Sequence, residues 1–437
     1  MSNNSRTGNY RWFICGLLFF ATTINYIDRQ IIGFLKPVLE VEFNWTETDY
    51  GRIVMVFSAC YALGFLVFGN FIDRLGSKIG YAISVTIWSV AAILHAAAKS
   101  TFGFGLFRGL LGVSEAGNFP AAVKVIAEWF PQKERGVATG IFNSGTSIGP
   151  IIAPILIPWL LASFGWKEAF IITGALGFVW LAIWWIYYEI PEKQKRLSAG
   201  EFNYIHSDVK TGEAGAAEVK KIRWARLLTL KQTWVFIVGK LFTDPIWWFF
   251  LFWLPSYFAS TFDLDLKKPS LHLAVVYTLT TFGSIAGGYL SSYLLKKGWP
   301  ALKARKLVLL IVAILVLPIL LARYATDIWV VVFIIAIVAA AHQAWSTNML
   351  TVVSDIIPKE SVSSVVGIGG MAGSLGSTFF PLLVGTLLDH YKLMGNIGAG
   401  YNILFTICGL SYFVAWVIIQ LLTRRMKPVE EVLAKFP

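Results

Sequence analysis

Long apolar runs, each about the length of a membrane span, alternate with short polar breaks along this chain of 437 residues. A helix needs about 20 predominantly apolar residues to cross roughly 30 Å of hydrocarbon. The first run is too long for a cleaved signal peptide, so we interpret it as a retained span. The pattern predicts an all-α membrane protein with twelve transmembrane helices, at about residues 12–36, 51–71, 80–98, 101–129, 136–160, 168–188, 234–259, 270–295, 305–322, 327–352, 363–388 and 399–422.

The only long polar segment, residues 189–233, follows the sixth apolar run and divides the chain into six plus six. We therefore predict a six-helix half at 1–188, a cytoplasmic linker at 189–233 and a second six-helix half at 234–437. Two such pseudo-symmetric halves with a site between them form a transporter architecture. Duplication is supported by an ungapped alignment of residues 131–154 with 358–381 at a constant offset of 227, which pairs Pro131 with Pro358, Gly140 with Gly367, Ile141 with Ile368, Ser147 with Ser374, Gly149 with Gly376 and Pro154 with Pro381.

The glycine-rich runs at the fifth and eleventh spans allow two interpretations. Small residues let helices approach closely in lipid, where little hydrophobic force drives them together. They therefore serve packing alone, or they also provide smooth surfaces along which the halves slide.

Composition and charge place the chain in a membrane. Hydrophobic residues make up 56% of it and charged residues only 14%, well below the roughly 25% of soluble domains. The net charge of +12 is concentrated in alternate loops, which predicts that both termini and the long central loop lie in the cytoplasm and that no nucleic-acid partner is needed. Cys15, Cys60 and Cys408 lie in apolar runs without disulfide or metal-ligand spacing, so we interpret them as packing residues.

Charged residues inside the apolar runs raise the free energy of a membrane helix, so each of them needs a structural or functional reason. Each costs roughly 2.5 to 3.5 kcal/mol at the centre of a membrane helix. Asp28 and Arg29 differ by about 100° around their helix, so we expect Arg29 to point into a cavity and Asp28 at a neighbouring helix or water. Arg108 and Glu115 are seven residues apart and share one face, which must line the bundle interior. A buried structural ion-pair network is the alternative.

The second half carries a different polar set. His342 could relay protons, hydrogen-bond a hydroxyl group of a ligand, or form a hydrogen bond with a neighbouring helix. Lys240 and Asp244 are four residues apart and can pair, so a structural role and a direct substrate role both stay open. Further groups that can hydrogen-bond or stack on a ligand are Gln343, Trp345, Ser346 and Asn348. Trp247 and Trp248 offer either a flat face to a ligand ring or anchors at the membrane interface.

The loop "GNFIDRLGSKIG", residues 69–80, resembles the signature loop of the major facilitator superfamily. Gly69 allows close helix contact, and we predict that Asp73, Arg74 and Lys78 form a charge clasp that holds one conformation. A plain positively charged turn is the alternative. The second half contains only a weakly similar loop around Gly288, with Ser292 in place of Asp73. We therefore expect the clasp in the first half only.

Four further stretches are similar to the anion:cation symporter family, and within it to bacterial hexuronate transporters. These stretches are "NYIDR", "FRGLLGVSEAGNFPAA", "GKLFTDPIWWFFLFWLP" and "AHQAWSTNMLTVVSDIIPKE". The resemblance implies proton-coupled uptake of an organic anion, with Arg29 binding the anion and Asp28 and Glu115 carrying the proton. Protons are the coupling ion, and neither a metal nor another cofactor is expected. Thr146 departs from the galactonate-transporter pattern, which has glutamine there, and leaves the exact sugar acid open.

Together, the residues and the resemblance predict a proton-coupled symporter for a sugar acid such as glucuronate or galacturonate, working by alternating access as a monomer. Alternatives are a carrier of another organic anion such as an aldonate, a multidrug or neutral-sugar carrier, a non-transporting membrane sensor and a membrane enzyme. Two interior arginines disfavour a neutral ligand, and no catalytic motif is visible. The predicted substrate-binding residues are Tyr26, Arg29, Tyr61, Arg108, Lys240, His342, Trp345 and Asn348.

Overall fold

The computed structural model describes residues 8–45, 47–207, 224–262, 271–424, 426 and 429, and these contain helices but no strands. Short 3-10 segments follow or join some helices, at His95–Ala97, Pro191–Lys193, Leu317–Tyr324 and Lys359–Ser361. The α-helices are α1 (Tyr10–Phe43), α2 (Glu47–Leu75), α3 (Ser77–Leu94), α4 (Thr101–Glu115), α5 (Asn118–Trp129), α6 (Gln132–Phe164), α7 (Trp166–Tyr187), α8 (Ala199–Ile205), α9 (Trp224–Leu227), α10 (Lys231–Phe262), α11 (Leu271–Lys296), α12 (Ala301–Val316), α13 (Ile328–Ile356), α14 (Val362–Leu393) and α15 (Ile397–Thr423).

The described residues contain nine helices that are long and apolar enough to cross a membrane, or ten if the bent α6 counts as one span. These account for ten of the twelve predicted spans. The predicted first span corresponds to α1, which has 34 residues but also carries Arg11, Asp28 and Arg29. The predicted fourth span is divided, because α4 ends after 15 residues and α5 then runs for 12 more.

Two other predicted spans are helical but not straight. The two parts of α6 meet at an angle of 45° around Pro154, a residue without a backbone N–H to donate within the helix. The ninth span begins as α12 and tightens into the 3-10 segment Leu317–Tyr324, which has Pro318 in its first turn.

One end of the bundle carries most of the basic residues, and we call it the basic face. It is defined by the start of α1 and by the turns between α2 and α3, α5 and α6, α11 and α12, and α13 and α14. At the basic face, the predicted linker 189–233 includes two short helical pieces, while its residues 208–223 lie outside the described part of the chain. Glu201 of α8 is buried and accepts hydrogen bonds of 3.1 Å from the backbone N–H groups of Tyr10 and Arg11. A carboxylate suits these N–H groups, which have no partner within α1.

The most extensive helix contacts between the first half of the chain and the second are those of α2 with α14 and of α6 with α11. Glycines make both approaches close. A Cβ added at Gly367 would overlap the backbone of Phe65 in α2, and one at Gly140 would overlap the backbone of Ser284 in α11. These two glycines, aligned in sequence at the offset of 227, therefore occupy comparable contacts in the two pairs.

The closest of these approaches generates a stability prediction. A Cβ at Gly288 of α11 would overlap the carbonyl of Gly136 in α6, and neither backbone can yield as a flexible side chain would. We expect Gly288→Ala to destabilise the protein by about 1 to 3 kcal/mol and to lower its melting temperature in detergent. Gly105→Ala is the matched control, because nothing lies within 4 Å of a Cβ there. Equal melting temperatures for Gly288→Ala and Gly105→Ala would contradict the close contact between α6 and α11 at Gly288.

Candidate functional site

A cavity of about 270 Å³ lies between the two halves of the chain. Residues of α1, α2, α4, α5 and α6 form one wall, and residues of α10, α13 and α14 form the other. Its volume is near the lower end of the roughly 300–1,000 Å³ typical of small-molecule sites, which suits one small ligand. Six of the eight predicted substrate-binding residues line the cavity: Tyr26, Arg29, Tyr61, Arg108, Lys240 and His342.

Arg29 is fixed in the first wall by an ion pair and by aromatic rings. Its Nε donates to Glu115 Oε2 at 3.0 Å, and its Nη2 donates to Asn25 Oδ1 at 3.3 Å. The guanidinium lies 4.6 Å from the ring centroid of Tyr26 and 4.5 Å from that of Tyr61. Only its edge reaches the cavity, because 13% of the side chain is exposed while Glu115 is completely buried. Its position is therefore fixed before any ligand arrives.

Arg108 is held differently, by backbone carbonyls of α1. Its two terminal nitrogens donate to the carbonyl of Asp28 at 3.3 Å and to the carbonyl of Arg29 at 3.0 Å. Arg108 forms no salt bridge within the described part of the chain, and it lines the cavity. Glu115, on the same helix as Arg108, pairs with Arg29 of α1 instead. The wall thus contains two guanidinium groups, of which one is paired.

Asp28 lies on the other side of α1, away from the cavity lining. Its carboxylate is buried and close to Thr173 of α7, but it accepts no hydrogen bond from the described residues. Burying an ionised carboxylate without a hydrogen-bond partner costs much more free energy than burying the neutral acid. Asp28 and Glu115 are the two acidic groups nearest the buried arginines of this wall.

The opposite wall combines an ion pair with an aromatic platform. Lys240 and Asp244 of α10 pair at 2.7 Å across one helical turn. Trp247 stacks on His342 with ring centroids 5.2 Å apart and planes only 3° apart. His342 Nδ1 shares a hydrogen bond of 2.5 Å with the hydroxyl of Tyr412. Both Trp247 and Trp248 line the cavity, so they do not serve as interface anchors.

Two predicted substrate contacts, Trp345 and Asn348, do not line the cavity. Trp345 is buried and donates its indole N–H to the carbonyl of Gly239 at 3.3 Å. Asn348 donates its amide to the carbonyls of Gly287 and Ala344 at 3.0 and 2.9 Å. The reason is the helical repeat, which turns these positions of α13 toward α10 and α11.

Asn143 of α6 was missed by the sequence reasoning, although it lines the cavity and links its walls. Its amide donates to Gln343 Oε1 at 3.0 Å and to Ser284 Oγ at 3.1 Å, both across the boundary between the halves. Gln343 in turn lies 3.4 Å from Thr146 Oγ1. The signal available in the sequence was an asparagine within an otherwise small and apolar run.

The predicted charge clasp of Asp73, Arg74 and Lys78 is wrong, because these three residues bind other partners and not one another. Asp73 pairs with Lys124 of α5 at 3.1 Å and also accepts from the backbone N–H groups of Ser363 and Ser364, at 3.3 and 2.7 Å. These N–H groups open α14, so the carboxylate binds the positive end of a helix in the other half. The glycine of this loop, Gly69, also meets α14, since a Cβ there would overlap the carbonyl of Ser363.

The two basic residues of the same loop bind elsewhere. Arg74 donates to Asn70 at 2.9 Å on the exposed side of α2. Lys78 pairs with Glu189 at 2.9 Å. Burial alone would raise the pKa of Glu189, but Lys78 and the backbone N–H of Ile190 outweigh it and hold the pKa below its usual value. Lys78 therefore ties α3 to the start of the linker rather than to Asp73.

A second connection between the halves, at the α6 end of the basic face, was not predicted. Asp355, at the end of α13, pairs with Arg135 of α6 at 3.4 Å and with Arg305 of α12 at 3.0 Å. Arg135 also donates to the carbonyl of Ser354 at 2.5 Å. The contacts of Asp355 lie beside the pair α6–α11, and those of Asp73 lie beside the pair α2–α14. Both helix pairs are therefore fastened at the basic face.

The described residues contain no group of three or more His, Cys, Asp or Glu side chains that could hold a metal ion. Their three cysteines are free, with Cys15 and Cys408 buried and Cys60 partly so.

Comparison with known proteins agrees with this geometry. The family model of the Major Facilitator Superfamily matches residues 18–381 and 303–437. The hexuronate transporter of Escherichia coli (strain K12) is 32% identical over 415 residues, which cover 94% of each chain. The galacturonate transporter of Dickeya chrysanthemi is 34% identical over 280 residues, covering 64% of this chain and 81% of the relative.

The fold is also similar to that of a solved structure. The proton:xylose symporter XylE, bound to 6-bromo-6-deoxy-D-glucose, superposes with a TM-score of 0.73 over 99% of this chain and all of that one, at 15% sequence identity. The chain belongs to the major facilitator superfamily, is similar to bacterial hexuronate transporters, and is a multi-pass membrane transporter rather than an enzyme.

Proposed function

We propose that this transporter imports a sugar-acid anion, a hexuronate such as glucuronate or galacturonate, together with a proton. The observation that carries the proposal is the pair of guanidinium groups, Arg29 and Arg108, in the wall of a closed-in cavity. A guanidinium offers a planar fork of donors that matches a carboxylate, and it stays charged inside a protein. Buried positive charge of this kind favours an anionic ligand over a neutral one.

The remaining lining suits the polyhydroxylated part of a sugar acid. Asn143, Gln343 and Ser346 offer amide and hydroxyl groups, while Trp247 offers an aromatic face. A few convergent polar groups among aromatic ones are typical of small-ligand sites. The hexuronate and galacturonate transporters among the relatives support the same substrate class.

The position of Glu115 supports coupling to protons. A substrate carboxylate that binds Arg29 competes with the Glu115 carboxylate for the same guanidinium. Once it loses that partner in a fully buried site, Glu115 is more stable as a neutral acid and takes up a proton. Anion and proton then load together, and by reciprocity a bound proton improves anion affinity. Asp28, buried beside the same wall, is the second candidate carrier.

Transport itself follows from alternating access of the two halves, residues 1–188 and 234–437. The contacts of Asp73 and Asp355 fasten both helix pairs at the basic face, so the cavity has its access from the other side. We place the basic face in the cytoplasm of an inner-membrane protein, because Lys and Arg are concentrated there. Release of substrate to the cytoplasm then requires both fastenings to open, and one chain contains the whole cavity.

Uptake into proteoliposomes tests the proposal. Purified protein is reconstituted and supplied with labelled glucuronate, with and without an inward proton gradient. We expect accumulation above the external concentration only with the gradient, and competition by unlabelled galacturonate. If an aldonate such as galactonate competes more strongly than galacturonate, the substrate is an aldonate rather than a hexuronate. Accumulation that ignores the proton gradient would refute the coupling, and uptake of neutral sugars alone would refute the anion site.

The first prediction concerns the fork geometry of Arg29. Lysine keeps the positive charge but offers a point charge instead of parallel donors, and it cannot reproduce the aromatic packing between Tyr26 and Tyr61. Arg29→Lys should lower glucuronate uptake by about 100-fold or more, with normal expression. Arg74→Lys, at an exposed arginine of the neighbouring loop, is the control. Near wild-type uptake by Arg29→Lys would remove Arg29 from the anion site.

The second prediction separates proton coupling from binding. Glu115→Gln imitates the permanently protonated side chain, so substrate should still bind and exchange across the membrane while gradient-driven accumulation is lost. Counterflow and accumulation are measured on the same vesicles, with Glu189→Gln as the surface control. Retained accumulation would transfer the coupling role to Asp28. Loss of both activities would mean that Glu115 only positions Arg29.

The third prediction addresses the fastening at α14. Asp73→Asn removes the charge that pairs with Lys124 and that binds the start of α14, so the closed basic face loses stability. In a cysteine-free background, a reporter at Leu350→Cys on the cavity wall should react several-fold faster from the basic face. Asp327→Asn, which removes the charge of a helix-capping carboxylate at the opposite face, is the control. Equal labelling rates would show that Asp73 does not contribute to closure.

A further inference from the structure

The two walls of the cavity differ in charge. In the first wall, Arg108 forms no salt bridge with a described residue, and Arg29 shares its only one with Glu115. In the second wall, Lys240 is matched by Asp244 at 2.7 Å, so the pair has no net charge. One wall therefore attracts an anion, and the other presents both an ammonium and a carboxylate at the same place.

Asp244 is built into the second wall rather than attached loosely to it. Its side chain is 19% exposed and that of Lys240 14%, so both are mostly enclosed but reach the cavity. Its Oδ2 occupies the space that a Cβ would take at Gly373 of α14, and that glycine is what makes room for the carboxylate. Two helices, α10 and α14, thus fix the position of one acidic group in the binding cavity.

We propose that Lys240 and Asp244 form a subsite for the uncharged polyol end of the substrate and exclude a second carboxylate. This inference rests on the proposed function, in which the first carboxylate binds at Arg29. Two neighbouring hydroxyls of a hexuronate satisfy the pair, because one can donate to Asp244 and the other can accept from Lys240. The carrier is therefore selective for monoacids, with Asp244 determining that specificity.

A dicarboxylate sugar acid of the same length fits this subsite badly. Its second carboxylate has no proton to donate to Asp244 and carries the same charge as that residue. In an enclosed site, like charges repel strongly, and a polar group left unpaired rejects the wrong ligand far more effectively than missing apolar contact does. The neighbouring lining groups Trp247, Gln343 and Ser346 are uncharged and His342 shares a hydrogen bond with Tyr412, so Lys240 is the only cation of this wall among its described lining residues.

The test is a gain of activity. Asp244→Asn keeps the shape of the side chain and removes its charge, which leaves the Lys240 ammonium available to a second carboxylate. We expect uptake of labelled glucarate, a diacid, to rise relative to glucuronate by about tenfold or more. The matched control is the double variant Lys240→Gln with Asp244→Asn, which is neutral again and should lose this gain. Gly373→Ala, which displaces the carboxylate without changing any charge, should also shift the ratio toward glucarate.

The outcomes separate this inference from the proposed function. Failure of the wild-type protein to transport glucuronate would refute the proposed function, whatever Asp244 does. Wild-type uptake of glucarate and glucuronate at similar rates would refute the exclusion while leaving the function intact. An unchanged ratio in Asp244→Asn, with folded protein shown by its melting temperature, would also refute it. Loss of gradient-driven accumulation with intact glucuronate exchange in Asp244→Asn would assign the residue to proton coupling instead.

Discussion

The cost of burying charge away from water is the constraint on which the rest of this structure depends. Arg29 lies near the middle of α1 and is mostly enclosed, where Glu115 of α4 pairs with it and two tyrosine rings pack against it. Arg108 holds the same two helices together by donating to carbonyls of α1. Removing either partner leaves a buried group unsatisfied, which is far more damaging than losing a surface ion pair. The two guanidinium groups of the cavity wall and the packing of α1 on α4 are therefore one arrangement.

The sequence was sufficient where the information is local. Apolar runs of span length predict the helices. The structure differs from this prediction at a few places, such as the break after Glu115 and the bend near Pro154. Lys240 and Asp244, one helical turn apart, could be paired from their spacing alone. By contrast, the pairing of Asp73 with Lys124 and with the start of α14 joins segments that lie far apart in sequence. No spacing rule reaches such contacts, because they depend on how α2, α5 and α14 meet.

The rotation of a helix about its axis was also beyond the sequence. The run "AHQAWSTN" offered polar and aromatic groups on every side of α13, and composition could not show which of them face the cavity. His342, Gln343 and Ser346 do, whereas Trp345 and Asn348 satisfy backbone carbonyls of α10 and α11. Residues 341–354 of α13 are buried on all sides. In such a segment every direction needs suitable partners, so polarity alone does not distinguish a ligand contact from a helix contact.

The cavity and the closed basic face are connected through single rigid helices. In α14, the N–H groups of Ser363 and Ser364 bind Asp73, and about 15 Å further along, at 1.5 Å per residue, Ser374 lines the cavity. In α6, Arg135 binds Asp355 near the start of the helix, while Asn143 and Thr146 line the cavity two to three turns later. A ligand that shifts either helix must therefore strain the fastening at its end. Because a packed helix moves as a unit, occupancy of the cavity and stability of the closed face depend on each other without any intervening flexible element.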